Sequence, residues 1–123
     1  MTDRQLIIVA ALTLLVGVGA GAFGAHGLKR MITPDMLSVW QTAVLYQLIH
    51  GLGMLVIAAL GSRFASPLLS LSGSVMFAGI LIFSGSLYAL VLTNTKWLGA
   101  ITPIGGAAFL IAWAMVAVAA YRS

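Results

Sequence analysis

Charged residues are scarce in this sequence, and cysteine is absent. Only 7% of the 123 residues are charged, and only two of them are acidic. A soluble domain carries charge on about a quarter of its residues. The absence of cysteine excludes disulfides, thiolate metal ligands, cysteine nucleophiles and the acylated cysteine of a lipoprotein.

Apolar residues make up most of the chain, at 62% of the composition and a mean hydropathy of +1.14. A membrane-spanning helix needs about 20 predominantly apolar residues, so four spans with short connections use nearly the whole sequence. One membrane domain is therefore predicted, with no room for a soluble catalytic domain. The six Lys and Arg residues are scattered between the apolar runs, which indicates interfacial anchors and not a nucleic-acid-binding patch.

The apolar runs predict an integral-membrane, all-α four-helix bundle that forms a single domain, residues 1–123. With four spans, both termini lie on the same side of the membrane. The spans are expected at residues 6–25, 37–60, 68–92 and 98–121. Thr33, Pro34 and Asp35 form a typical helix start, with a capping side chain, a proline in the first turn and an acid near the positive end of the helix dipole.

Two boundaries have alternative interpretations. The first run also fits a signal peptide, because small residues end it at positions 20–22, although it is longer than the usual apolar core of about 7–15 residues. In the fourth run, either Pro103 kinks the helix or the regular helix begins at it.

Small residues recur at helical spacing and predict close contacts between helices. Gly17, Gly21 and Gly24 form one stripe on the first helix, and Gly85 belongs to a second stripe on the third helix. The fourth helix has two further packing candidates near its start, Pro103 and Gly105. Trp40 and Trp97 are expected to be interfacial anchors.

Lysine and arginine are balanced across the predicted membrane. Arg4, Arg63 and Arg122 lie on the side of the termini, and the opposite side has Lys29, Arg30 and Lys96. Orientation follows an excess of these residues on the cytoplasmic side, and three against three favours neither orientation.

The second helix has the most informative polar residues. At 100° per residue, Gln47 and His50 share one face, and Tyr46 borders it. Polar groups within a span either bond to neighbouring helices or serve a function. His50 is the candidate for proton acceptance or ligand binding, because the pKa of imidazole is normally about 6.5.

The four-span topology brings the polar residues into the half of the membrane nearest the first and third loops. We therefore expect one small cavity there, lined by His26, Tyr46, Gln47, His50, Ser84, Ser86, Tyr88 and Thr102. The only acids, Asp3 and Asp35, lie near the surface, and a nucleophile–base–acid set is missing. Two histidines fall short of the ligands that zinc takes. We expect no enzymatic activity, no cofactor and no metal.

Two functions remain compatible with these residues. The first is permeation or small-ligand binding through the polar cavity. The second is a non-catalytic accessory or assembly role in a larger membrane complex, for which the small-residue stripes supply contact faces. The expected partners are the lipid bilayer and either further copies of this chain or another membrane protein, but no nucleic acid.

Four motifs carry a family resemblance: GAFGAHGLK at 21–29, WQTAVLYQLIHGLG at 40–53, FSGSLYAL at 83–90 and LGAITPIGGAAFLIAW at 98–113. With these motifs in this order, the chain resembles the YgdD/YwdK family of small inner-membrane proteins. This is domain-of-unknown-function family 423, with eukaryotic relatives called transmembrane protein 256. The resemblance implies four transmembrane helices and an uncleaved first span, and it supplies no activity.

Overall fold

The computed structural model describes all 123 residues and confirms the four-helix architecture. Each of the four α-helices has the length and the apolar composition to cross a membrane, and the even number of spans places both termini on one side. The long helices are α1 Asp3–Ala25, α2 Pro34–Leu60, α3 Pro67–Thr93 and α4 Thr102–Arg122. Short 3-10 turns, Leu28–Arg30 and Lys96–Ala100, lie in the first and third connections.

Local capping explains where the second and third helices begin. The Thr33 hydroxyl accepts a hydrogen bond from the Met36 backbone N–H at 3.2 Å, and Pro34 follows as the first residue of α2. Ser66 and Pro67 repeat this arrangement at the start of α3. In both helices the cap satisfies a free backbone donor, and proline occupies a position that needs no N–H.

The start of α4 decides between the two interpretations of Pro103. The regular helix begins at Thr102, directly after the second 3-10 turn, so Pro103 lies in the first helical turn and does not kink the helix. The predicted span of residues 98–121 therefore comprises part of the 3-10 turn at residues 96–100 and nearly all of α4. Asn94 ends α3 in a left-handed conformation with φ 53°.

The helices pack in chain order: α1 lies against α2, α2 against α3, and α3 against α4. The contact between α1 and α3 is small, and α1 has no comparable interface with α4. One core cluster draws residues from all four helices, including Leu6, Met54, Met76 and Phe109. Because α2 and α3 are central, α2 has different neighbours on its two sides.

The predicted glycine stripe of α1 packs against α2. A Cβ atom at Gly17 would lie 2.8 Å from Leu48 Cδ2, and one at Gly24 would lie 2.7 Å from Trp40 Cδ1. At Gly21 the nearest atom would be Val44 Cγ1, at 3.3 Å. These three glycines therefore let α2 side chains reach the α1 backbone.

The other packing candidates have three different environments. Gly105 packs on α3 so closely that a Cβ atom there would collide with the backbone N of Phe83. Pro103 is exposed and borders a groove. A Cβ at Gly85 would meet no atom within 4 Å, so Gly85 packs against no helix of the chain.

Candidate functional site

Polar side chains gather on two sides of α2 and do not line one shared cavity. The side facing α1 and α3 contains Gln47, which bonds to both of those helices. The side facing α4 contains His50, whose ring stacks on Phe109. The prediction of one cavity lined by all eight residues is therefore wrong.

Gln47 is buried, and both heteroatoms of its amide are hydrogen-bonded. Its Nε2 donates to the backbone oxygen of Thr13 on α1 at 2.9 Å. Its Oε1 accepts a hydrogen bond from the Tyr88 hydroxyl on α3 at 2.5 Å. We call these three residues the Gln47 network. The network joins α1, α2 and α3 and leaves neither the Gln47 oxygen nor its nitrogen without a partner.

Trp40 extends this packing toward the first loop. Its side chain is 6% exposed, and its indole Nε1 donates to the Ala20 oxygen on α1 at 2.8 Å. The ring centroids of Trp40 and Tyr88 are 4.6 Å apart. Trp40 is thus packed within the bundle, because the missing side chain of Gly24 leaves room for the indole against α1, and its position at the membrane interface stays a prediction. Trp97, in contrast, is 66% exposed.

The predicted hydroxyl residues also join helices. Ser84 on α3 donates to the Ala43 oxygen on α2 at 2.7 Å. The hydroxyls of Ser86 and Thr102 lie 2.6 Å apart and connect α3 with α4. Each of these side chains has a partner within the protein, as is usual for polar residues in helical membrane proteins.

His50 differs from these residues because one ring nitrogen has no partner. Its Nδ1 lies 2.8 Å from the Tyr46 carbonyl oxygen. Since a carbonyl only accepts, Nδ1 carries the proton in this hydrogen bond, and in the neutral ring Nε2 has a free lone pair. Every fully enclosed side-chain nitrogen or oxygen has a partner. Nε2 has none, so it borders open space although His50 is only 5% exposed.

The open space beside His50 is a groove of about 500 Å³ between α2, α3 and α4. We call it the His50 groove. Its lining consists of Tyr46, His50, Phe83, Pro103, Gly106, Ala107, Phe109, Leu110 and Trp113. The imidazole stacks on Phe109 with ring centroids 3.6 Å apart and planes 9° apart. Aromatic rings therefore dominate the walls, and no charged side chain lines the groove.

His26 lies outside both polar groups. His26 is exposed and caps the carboxyl end of α1, where its backbone N–H donates to the carbonyl oxygens of Ala22 and Phe23. At φ −116° and ψ −88° the chain has left the helical path, so helical spacing no longer determines where this side chain points. The expectation that His26 faces the polar cluster is therefore wrong. No group of three or more metal-binding side chains comes together in the chain.

Sequence reasoning missed the aromatic walls Phe83, Phe109 and Trp113. One signal was present, because tryptophan prefers the membrane interface and Trp113 lies midway along α4. In the structure, the Trp113 ring covers Gly53 of α2 and also borders the groove.

Comparisons with known proteins identify related chains. The family model described as "Protein of unknown function (DUF423)" matches residues 20–106. The chain is 49% identical over 120 residues to the UPF0382 membrane protein YwdK of Bacillus subtilis, an alignment that covers 97% of this chain and 98% of YwdK. It is 50% identical over 119 residues to a UPF0382 membrane protein of Staphylococcus aureus, with 97% of each chain covered. No solved structure matches.

Proposed function

The chain belongs to the DUF423 family of bacterial multi-pass membrane proteins, and from its geometry we propose that it binds a small lipid-soluble molecule in the His50 groove. The proposal is one of binding without catalysis. It rests on a single observation, the free Nε2 of a histidine that is otherwise buried and hydrogen-bonded.

A free acceptor at this position is unfavourable unless something bonds to it. Polar groups within the hydrocarbon region are costly when they lack a partner. The protein supplies partners to Gln47, Ser84 and Ser86, but it leaves Nε2 of His50 facing a groove. A ligand with a hydrogen-bond donor would satisfy this nitrogen, and the groove volume of about 500 Å³ is suitable for a small molecule.

The same geometry favours binding over permeation. A pathway for water or ions needs polar groups that can replace the hydration shell. A second cavity, of about 200 Å³, contains Gln47, Ser84 and Tyr88, but each of these side chains is already hydrogen-bonded within the protein. The polar half of the molecule therefore lacks a continuous series of free polar side chains.

The positions of the acids support a role without catalysis. Asp3 and Asp35 lie at the starts of α1 and α2. Asp35 precedes His50 on the same helix by a distance of about 22 Å at 1.5 Å per residue. No carboxylate can therefore orient the imidazole as the acid of a nucleophile–base–acid set does.

A groove-filling variant tests the proposal. Ala107 lines the groove and is exposed, so Ala107→Phe should fill the groove without disturbing the core. Ala117→Phe is the matched control, because Ala117 is exposed on the same helix but outside the groove. Each protein is extracted from its own membrane in a mild detergent and weighed by native mass spectrometry.

We expect the parent protein and Ala117→Phe to retain a small molecule that Ala107→Phe has lost. A parent protein without any small adduct, or equal retention in both variants, would contradict the proposal.

An accessory role is the second candidate, and the lipid-facing side of α1 favours it. Leu15 and Val18 are 67% and 64% exposed, and a Cβ atom at Gly19 would meet nothing within 4 Å. Gly17, Gly21 and Gly24 already pack within the chain, so Gly19 is the free small residue that a partner helix would contact. The same extraction would then yield a stoichiometric second chain, which Gly19→Leu loses and Ala107→Phe retains.

A further inference from the structure

We infer that the molecule bound in the His50 groove is a neutral aromatic compound that carries a hydroxyl group, such as a phenol. We call this class the aromatic alcohols. The inference rests on the proposed function and specifies its ligand class. Three properties of the groove determine the class: its charge and depth, the hydrogen bond that it requires, and the arrangement of its rings.

The lining and its depth exclude a charged ligand. No Lys, Arg, Asp or Glu borders the groove. Within α2, which spans residues 34–60, His50 lies three residues beyond the middle of the helix, a displacement of about 5 Å. At this depth a charge without a counter-charge is strongly disfavoured. The ligand is therefore neutral and reaches the groove from the lipid phase.

The hydrogen bonding of His50 requires a donor. Because the Nδ1 proton is used by the Tyr46 carbonyl, Nε2 can only accept. A ketone, ester or ether has no donor and would leave Nε2 unpaired. A hydroxyl group supplies the donor.

The rings of the groove favour a flat ligand. Tyr46, His50 and Phe109 are nearly parallel, with interplanar angles of 12° between the first two and 9° between the last two. Phe83 is inclined to Phe109 by 52°, and Trp113 is inclined to His50 by 53°. A planar aromatic ring can lie parallel to the first set and meet the second edge to face, which are the two preferred geometries of aromatic pairs.

The test follows the histidine nitrogens of the full chain directly. The protein is labelled with ¹⁵N-histidine and placed in phosphatidylcholine nanodiscs. Since the chain has two histidines, the His50→Gln variant assigns both sets of resonances. The probe is 4-butylphenol, compared at equal concentrations in the membrane with 4-butylanisole, which lacks the donor, and 4-butylcyclohexanol, which lacks the aromatic plane.

We expect 4-butylphenol to shift the Nε2 resonance of His50 saturably and to leave His26 unchanged. The shift should persist in Ala117→Phe and disappear in Ala107→Phe. Each comparison compound should bind about tenfold more weakly, the factor that corresponds to about 1.4 kcal/mol. This is close to the value of the hydrogen bond that 4-butylanisole lacks and of the aromatic pairing that 4-butylcyclohexanol lacks.

Two results would overturn the aromatic-alcohol class and leave the proposed function standing. One is equally tight binding of all three probes that Ala107→Phe abolishes. The other is a co-purified groove ligand, seen by native mass spectrometry, in a protein whose His50 responds to none of the probes. If no probe shifts His50 and no small molecule co-purifies, the ligand class and the proposed function both fail.

Discussion

Buried polar residues on the two sides of α2 differ in how completely they are hydrogen-bonded. On the side of α1 and α3, both heteroatoms of the Gln47 amide are hydrogen-bonded to other helices. On the side of α4, His50 bonds only within its own helix and leaves Nε2 facing the groove. A buried polar residue in a membrane span is thus a ligand-site candidate when one of its nitrogen or oxygen atoms has no partner.

The separation of Gln47 from His50 follows from packing in chain order. Residues three apart on a helix differ by about 60° in direction, and both side chains are buried. α1 packs directly on α2, whereas α4 packs on α3 and reaches α2 through the rings of Phe109 and Trp113. Gln47 therefore meets α1 and α3, whereas His50 meets α4.

The largest predicted effect is a difference in stability between variants of two adjacent glycines near the start of α4. Gly105→Ala should destabilise the protein by about 2 kcal/mol or more, because the new Cβ would overlap the Phe83 backbone and force α3 and α4 apart. Gly106→Ala should be neutral or slightly stabilising. Its Cβ would meet only Phe83 ring atoms at 3.9 Å and 4.0 Å, and alanine favours helix by about 1 kcal/mol.

Chemical denaturation in mixed micelles, followed by circular dichroism, measures both changes in unfolding free energy. Equal stability of the two variants would show that α3 and α4 are farther apart than the structure has them.

The second prediction concerns a variant that removes the central amide of the Gln47 network. Gln47→Leu keeps a similar volume but removes the partner of the half-buried Tyr88 hydroxyl. An unsatisfied buried donor costs about 1–3 kcal/mol, and hydrogen bonds within membrane proteins are at the lower end of such values. We expect a loss of about 1–2 kcal/mol in the same denaturation assay, without loss of the small molecule from the His50 groove. Loss of that molecule would mean that the two sides are coupled.

The third prediction concerns a variant that removes the donor of the same hydrogen bond. Tyr88→Phe should cost about 1 kcal/mol, because it leaves the buried Gln47 Oε1 without its donor. The double variant with Gln47→Leu should then be less destabilised than the sum of the two single changes. Strict additivity would contradict direct hydrogen bonding between Gln47 and Tyr88.

The smallest effect is predicted for Gly85→Ala. A Cβ atom there would meet nothing within 4 Å, so the unfolding free energy should be unchanged or slightly raised by the helix preference of alanine. Size-exclusion chromatography coupled to light scattering checks the oligomeric state of the same variant. A change in mass would indicate that another chain packs on this face of α3.

The parts of the fold that depend on local chemistry could be predicted from the sequence. The start of α2 at Thr33 and Pro34 follows from capping and from the fixed geometry of proline. Helical spacing also predicts that the α1 glycine stripe contacts another helix, although it does not identify that helix as α2. Pro103 left two possibilities, because one proline suits both a kink and a first turn, and the 3-10 turn before it decides between them.

The parts that depend on tertiary packing could not be predicted in the same way. Helical spacing places Gln47 and His50 on one face but does not say which helix covers each half of that face. Trp40 has the residue type and the position near a helix start that are typical of an interfacial anchor. Its burial depends on the approach of α1 at Gly24. His26 lies beyond the last regular turn of α1, where periodicity no longer applies.

The most direct test of the central claim is the position of the proton on His50 in a lipid bilayer. One-bond ¹⁵N–¹H couplings in ¹⁵N-histidine-labelled protein distinguish the two ring nitrogens. Our account predicts the proton on Nδ1, held by the Tyr46 carbonyl, and an unprotonated Nε2 facing the groove. A proton on Nε2 with a bare Nδ1 would contradict the account, because the groove would then present no acceptor to a ligand.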